Sequence, residues 1–87
     1  MIARKITYRG NFDQASIGAI YDVARKSEIT GRIKPISPQE IELSLEGDAA
    51  VIKLILHQIE RRVEVAFTDK SVVQIPFQNY VGITLLN

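Results

Sequence analysis

The stretch Glu40-Ile41-Glu42-Leu43-Ser44-Leu45-Glu46-Gly47-Asp48 decides the fold of this 87-residue chain. Apolar and polar side chains alternate through its first seven residues. This alternation predicts a strand in which Ile41, Leu43 and Leu45 face the core, while the carboxylates and the serine face outward. The glycine then makes a turn, and the final aspartate offers a side-chain oxygen as a helix N-cap. The stretch therefore predicts a strand that leads directly into a helix over residues 49–62.

The predicted second helix carries a wide apolar arc, which is typical of a helix lying flat on a sheet. The arc consists of Val51, Ile52, Leu54, Ile55, Leu56 and Ile59. Alternation returns after it and predicts a strand from Val63 to Thr68 with Val63, Val65 and Phe67 inward. Residues 69–79 fit either an extension of that strand or a bent connection. A last strand is predicted over residues 80–86.

The residues before the opening stretch predict a strand, a helix and a second strand. Ile2 to Arg9 alternates as a strand, and either Asp13 or Ser16 can cap a helix from Ser16 to Glu28. We expect that helix to end near residues 29–31, with Gly31 as its C-cap. Residues 32–36 form a short strand in hairpin with the opening stretch. Because Pro35 has no backbone donor, this strand must lie at a sheet edge or carry an irregularity.

The order of elements is β-α-β-β-α-β with one additional C-terminal strand. Right-handed crossovers place both helices on the same face of the sheet. The predicted fold class is therefore α+β, a two-layer ferredoxin-like sandwich with an antiparallel sheet. At this length, residues 1–87 form a single domain.

Composition narrows the classes of function. The formal net charge is only +1, which is far from the basic surface of a nucleic-acid binder. The chain has no cysteine and one histidine, so neither a thiolate site nor a histidine-rich metal cluster is expected, and we predict no metal and no cofactor. It also lacks a long apolar run, so no membrane association is expected and the default location is the cytoplasm.

Three stretches resemble the acylphosphatase family, whose members are small ferredoxin-like enzymes that hydrolyse carboxyl-phosphate bonds. Residues 23–31 resemble the end of the first family helix, and residues 38–47 resemble the family's hairpin strand. Residues 10–18 occupy the place of the phosphate loop G-x-V-Q-G-V-x-F-R. The resemblance implies the fold and a loop whose backbone N–H groups, with an arginine, hold the phosphoryl oxygens.

The residues that carry the family's chemistry are replaced in this chain. The arginine position falls on Gly18 when counted forward from Gly10, and on Ile17 when counted back from Gly31. The position of the water-holding asparagine falls on Pro35. The resemblance therefore predicts a degenerate active site with no catalytic residue, since a reaction promoted by positioning and electrostatics has lost both groups.

Some anion-binding capacity remains possible in the loop. The candidates are Asn11, Gln14, Ala15, Ser16 and Arg32. Three functions follow from these residues: an inactive acylphosphatase-like domain that binds a protein or a small anion, an active acyl phosphate hydrolase with a relocated arginine, and a ligand-sensing regulatory domain. The first is preferred, so the chain is predicted not to be an enzyme.

One apolar segment suggests self-association. Residues 72–77 carry no net charge and are mostly apolar, so an exposed edge there favours pairing with a second copy or another protein. The sequence therefore predicts a protein partner or a dimer formed through a sheet edge.

Overall fold

A computed structural model describes residues 1–63 and 67–86, with only the backbone of Phe67 described. Its elements are β1 Ile2–Gly10, α1 Gln14–Arg25, β2 Thr30–Ser37, β3 Glu40–Gly47, α2 Ala49–Arg62, β4 Phe67–Gln74 and β5 Ile83–Leu85. The described strands form one sheet in the order β4-β1-β3-β2-β5. This arrangement confirms the predicted ferredoxin-like α/β sandwich with an additional C-terminal strand.

The register of the sheet explains where the core lies. Ile6 of β1 and Ile33 of β2 both stand opposite Leu43 of β3, so these apolar side chains share one face. Ile20 of α1 and Ile55 of α2 are buried in the same core cluster. The face of the sheet that carries this cluster is called the inner face below, and the opposite face the outer face.

The fifth strand departs from the predicted antiparallel sheet. The pairs β1–β3, β1–β4 and β2–β3 are antiparallel, whereas β5 runs parallel to β2. The chain leaves β4 at one edge of the sheet and reaches β2 at the other, so residues 75–82 cross between the edges before β5 begins. This crossing also explains why the last strand spans only residues 83–85 rather than the predicted 80–86.

The first helix is shifted toward the N-terminus relative to the prediction. Asp13 is its N-cap, so α1 begins at Gln14 rather than at Ser16. It ends at Arg25, and the predicted C-cap at Gly31 is wrong. Gly31 lies inside β2 opposite Leu45, where a Cβ would sit 2.0 Å from the carbonyl oxygen of residue 44. The glycine is required by this close backbone approach, not by a helix end.

The second helix matches its predicted bounds, and Asp48 caps it through the amides of residues 50 and 51. The strand predicted from Val63 to Thr68 is wrong at its start, because Val63 is the C-cap of α2. Val63 is nevertheless buried as predicted. Val65 and the side chain of Phe67 lie outside the described residues. No described helix has the length and apolar character needed to cross a membrane.

Pro35 lies where its missing donor is tolerated. It faces β3 at Ile41, and the register shifts between Pro35 and Ser37. On its other side, β5 pairs only with residues 31–33 of β2. The predicted irregularity and the unpaired strand side are therefore both present at this proline.

Candidate functional site

A groove at the start of α1 brings the two replaced family positions together. The groove has a volume of about 420 Å³ and is called the α1 groove below. It is lined by Phe12, Asp13, Gln14, Ile17, Pro35, Ile36, Ser37 and Pro38. Thus Ile17 and Pro35, which stand where the resemblance expects an arginine and an asparagine, are walls of one cavity. Its lining within the described residues contains a carboxylate and no cationic side chain.

Asp13, the carboxylate of the groove, caps the N-terminus of α1. The Asp13 Oδ1 atom accepts a hydrogen bond of 2.8 Å from the backbone amide of Ser16. This hydrogen bond lowers the pKa of Asp13 below its usual value, so the side chain remains ionised near neutral pH. A fixed negative charge therefore occupies the position where a helix N-terminus would otherwise attract an external anion.

The loop before α1 is held to the hairpin turn between β2 and β3. The amide of Gly10 donates to the carbonyl of Gln39 at 2.9 Å, and the amide of Phe12 donates to the carbonyl of Pro38 at 2.8 Å. Phe12 is 6% exposed and packs in the core. These two amides donate to carbonyls of the hairpin turn, so they are not directed at a bound phosphate.

The predicted anion-binding residues divide into two groups. Gln14 lines the α1 groove, Asn11 precedes the helix, and Ala15 and Ser16 lie in its first turn. The structure brings these four together around the Asp13 cap. Arg32 is separate from them, because it points to the outer face between the inward residues 31 and 33.

The side chain of Ile17 decides which of the two alternative arginine positions faces the groove. Ile17 lines the α1 groove, whereas Gly18 is exposed and a Cβ built there would meet no atom within 4 Å. An arginine at position 17 would extend into the groove.

Arg32 belongs to a cleft on the outer face. Its guanidinium carbon lies 5.1 Å from the centre of the Tyr80 ring, which is a cation–π distance. Two cavities share these two residues as walls, with volumes of about 340 and 170 Å³. The first is also lined by Gln78, Asn79, Val81 and Thr84, and the second by Lys34, Glu42, Ser44 and Leu86. The two cavities together are called the Arg32 cleft below.

A buried carboxylate fixes the wall of this cleft. Glu46 is 3% exposed, which corrects the prediction that the carboxylates of β3 are solvated. Its Oε2 atom accepts from the amides of Gln78 and Asn79, the latter at 3.3 Å, and its Oε1 atom accepts from the amide of Tyr80 at 3.1 Å. Asn79 has a positive φ of 57°, a conformation that helps consecutive amides converge on one anion. We call this arrangement the Glu46 clamp.

A second polar network joins the sheet to α2. The buried Tyr8 hydroxyl donates to the Glu60 Oε2 atom at 2.8 Å, and the Lys70 ammonium group donates to the same oxygen at 2.9 Å. Burial raises the pKa of Tyr8 far above its usual value, and the hydrogen bond to the nearby carboxylate raises it further. The phenol therefore stays protonated, and the network ties the edge strand β4 to α2. In the described part of the chain, no group of three or more acidic, histidine or cysteine side chains could hold a metal ion.

The sequence did not indicate the Glu46 clamp or the Tyr8 network. Glu46 follows the same alternation as Glu42, and only the crossing of residues 75–82 over its end of the strand buries it. The sole available signal was the stretch Gln78-Asn79, because asparagine favours a positive φ.

Comparison with solved structures shows the same fold in acylphosphatases. The acylphosphatase from Bacillus subtilis superposes with a TM-score of 0.85 at 15% sequence identity, and the match covers all of both chains. An acylphosphatase from Coxiella burnetii gives 0.84 at 16% identity, covering 98% of this chain and 92% of that one. No family model and no curated protein sequence matches the chain. The chain therefore has the acylphosphatase-type α/β fold.

The fold also occurs in a protein of another class. A bacterial light-regulated adenylyl cyclase matches with a TM-score of 0.71 at 17% identity, covering all of this chain and 27% of that one. Because one fold serves unrelated functions, the residues of the site must decide what this chain does.

Proposed function

We propose that this chain is an acylphosphatase-like domain without carboxyl-phosphate hydrolase activity that acts as a binding or interaction module. The observation that carries the proposal is the α1 groove, where Ile17 and Pro35 meet beside the ionised Asp13. Hydrolysis of an acyl phosphate needs positive charge on the phosphoryl oxygens and a positioned water. The groove offers an aliphatic side chain, a proline and a negative charge instead.

The size of the expected defect follows from general enzymology. Loss of one well-placed hydrogen-bond donor to a developing charge typically lowers the rate by about 10²–10³. Two such groups are missing here, and Asp13 adds repulsion toward a phosphate. An active enzyme with a relocated arginine is disfavoured, because Arg32 stacks on Tyr80 and lines the cleft of the outer face instead of the α1 groove.

The test is hydrolysis of acetyl phosphate and benzoyl phosphate by the purified protein. We expect no release of phosphate above a heat-inactivated control, with an active acylphosphatase as the positive control for the assay. Turnover by the wild-type protein that disappears on heating would refute the proposal.

A variant that restores the two groups tests the same argument from the opposite direction. Ile17→Arg combined with Pro35→Asn places a cation and an amide in the α1 groove, and Asp13→Asn removes the repelling charge. We expect this variant to gain measurable hydrolysis. The matched control, Ile17→Leu with Pro35→Ala and Asp13→Asn, changes the same three positions without adding the cation or the amide at positions 17 and 35. Equal rates for the two variants would contradict the assignment of these positions.

We propose that the interaction surface is the edge strand β4. β4 is the outermost strand on its side of the sheet, and Val72 and Val73 are 47% and 44% exposed. No other described strand pairs with this edge, and a free strand edge with apolar side chains favours β-pairing with a second copy or another protein. Light scattering after size exclusion should detect a dimer. A lysine at position 73 should weaken it, and a strictly monomeric protein at high concentration would refute pairing through this edge.

A regulatory domain is the second candidate. Its support is that a light-regulated adenylyl cyclase contains this fold as about a quarter of its chain, at 27% coverage. A sensing role requires a ligand that the domain binds without converting it. Saturable amide shifts on titration with glycerol 3-phosphate would support such a role.

A further inference from the structure

We propose that the Arg32 cleft binds the phosphate group of a small phosphate monoester. The inference rests on the proposed binding role and assigns it to the outer face of the sheet, away from the α1 groove. Four observations carry it: two cations that form no ion pair, a wall fixed by a buried carboxylate, a set of convergent donors, and a low net charge.

The first observation is that the two cations of the cleft form no ion pair with a described carboxylate. Elsewhere Arg9, Arg25, Lys26, Arg62 and Lys70 each form an ion pair with a carboxylate. Within residues 1–63 and 67–86, Arg32 and Lys34 form none. They lie two residues apart on β2, so their side chains leave the same face of the sheet.

Second, the cleft is held in shape before any ligand arrives. The three amides of the Glu46 clamp fix residues 78–80, and Tyr80 in turn stacks against the Arg32 guanidinium group. This cation–π contact restrains the guanidinium group, whose N–H groups can donate two parallel hydrogen bonds to an oxyanion. Preorganisation of this kind reduces the entropy lost on binding.

Third, hydroxyl donors flank Arg32 at the same level of the sheet. Ser44 of β3 stands directly opposite Arg32 on one side, and Thr84 of β5 stands opposite it on the other. Both residues line the cleft, and neither hydroxyl has a hydrogen-bond partner among the described residues. A tetrahedral oxyanion can accept from the guanidinium fork with two oxygens and from the hydroxyls with the others.

Fourth, the charge and volume of the cleft select one phosphate group. Glu42 stands opposite Lys34 one step along the strands, and Glu46 lies in the wall with its oxygens held by three amides, so the cleft carries two cations and two carboxylates. This low net charge opposes a polyphosphate or a nucleic-acid backbone and favours a ligand with a single phosphate group. The larger cavity, of about 340 Å³, has room for a small organic group beside the phosphate.

The test is a titration of the ¹⁵N-labelled protein with glycerol 3-phosphate at constant ionic strength. Glycerol serves as the uncharged control. We expect saturable shifts in the amides of residues 32, 44, 79, 80 and 84. We expect Arg32→Ala to weaken binding about ten-fold, since a charge-assisted bidentate contact of this kind contributes roughly 1.5 kcal/mol or more.

The matched control is Lys53→Ala, which removes one positive charge from an exposed position on α2. It should change the affinity by less than about two-fold, because exposed charges away from the site act weakly. Arg32→Lys keeps the positive charge but cannot donate two parallel hydrogen bonds to one oxyanion, so it should weaken binding about five-fold. It replaces Arg32→Ala as the test if that variant fails to fold.

Three results would overturn the proposal. These are the absence of saturable shifts, shifts centred on residues 13–16, and equal weakening by Arg32→Ala and Lys53→Ala. None of them bears on hydrolysis, which is measured with acyl phosphates at the α1 groove. Turnover of acetyl phosphate would refute the proposed function and leave a measured glycerol 3-phosphate site in place.

Discussion

Replacing Glu46 by alanine should expose how much the C-terminal segment depends on one side chain. The substitution leaves the amides of Gln78, Asn79 and Tyr80 without their acceptor. An unsatisfied buried donor costs about 1–3 kcal/mol, and water can reach these amides from the exposed side of the segment. Taking the lower value for each amide gives a loss of about 3 kcal/mol in the free energy of unfolding. For a domain of this size, that loss lowers the melting temperature by about 12–24 °C.

The assay is denaturant unfolding followed by circular dichroism, with amide exchange measured at residues 78–80. Glu42→Ala is the matched control, because Glu42 lies on the same strand and face but remains half-exposed. We expect the control to change stability by less than about 0.5 kcal/mol. If Glu46→Ala costs less than about 1 kcal/mol and the three amides keep their protection, the clamp does not stabilise the segment.

Four further substitutions test other parts of the structure by unfolding measurements. Gly31→Ala places a Cβ 2.0 Å from the carbonyl oxygen of Ser44 and should lower the free energy of unfolding by about 3 kcal/mol. Gly18→Ala is the control, because no atom lies within 4 Å of its Cβ, and it should raise the free energy of unfolding by about 0.5–1 kcal/mol. Similar effects of both substitutions would contradict the close approach at Gly31. Asp13→Asn keeps a capping group and removes a titration. Because folding lowers the pKa of Asp13, the contribution of its carboxylate to stability is complete above the ordinary pKa of 3.8 and is lost as the pH falls through the folded pKa. The wild type should therefore lose more stability than the variant in that acidic range. Parallel pH profiles of the two proteins would contradict this. Tyr8→Phe should cost about 1–2 kcal/mol through the lost hydrogen bond to α2, and an unchanged unfolding midpoint would exclude that contribution.

Periodicity predicted the fold because it reports directly on burial. The alternation of Ile41, Leu43 and Leu45 matches three fully buried side chains, and the bounds of α2 agree with its apolar arc. Asp48 was predicted as the N-cap because a short side-chain oxygen next to a turn has few other roles. Each of these features depends on neighbouring residues in the sequence, so one sequence was sufficient.

The features that escaped prediction depend on residues far apart in the chain. Gly31 was assigned to a helix end because glycine favours that position, while its actual cause is the carbonyl group of Ser44 on the adjacent strand. Glu46 was predicted to be solvated because its partners lie more than thirty residues away, at Gln78 and beyond. No local pattern reports such contacts.

The resemblance located the candidate site without determining its chemistry. It offered Ile17 or Gly18 for the arginine position and Pro35 for the asparagine position, and of these three residues Ile17 and Pro35 line the α1 groove. The effect of the Asp13 cap on that groove needed the hydrogen bond to Ser16, which a sequence does not contain.

The burial of Glu46 has a consequence for how the two faces of the domain are used. The carboxylate satisfies three backbone amides that an apolar side chain of similar volume would leave without an acceptor. The carboxylate also fixes the position of the Tyr80 ring beside Arg32, because its two oxygens accept from three consecutive amides. The α1 groove lacks such a set of fixed donors among its described lining residues. Its walls include prolines and aliphatic side chains, and its carboxylate, Asp13, caps the helix. Since fixed polar geometry is what recognition of an anion requires, the outer face is the better-equipped surface for binding one.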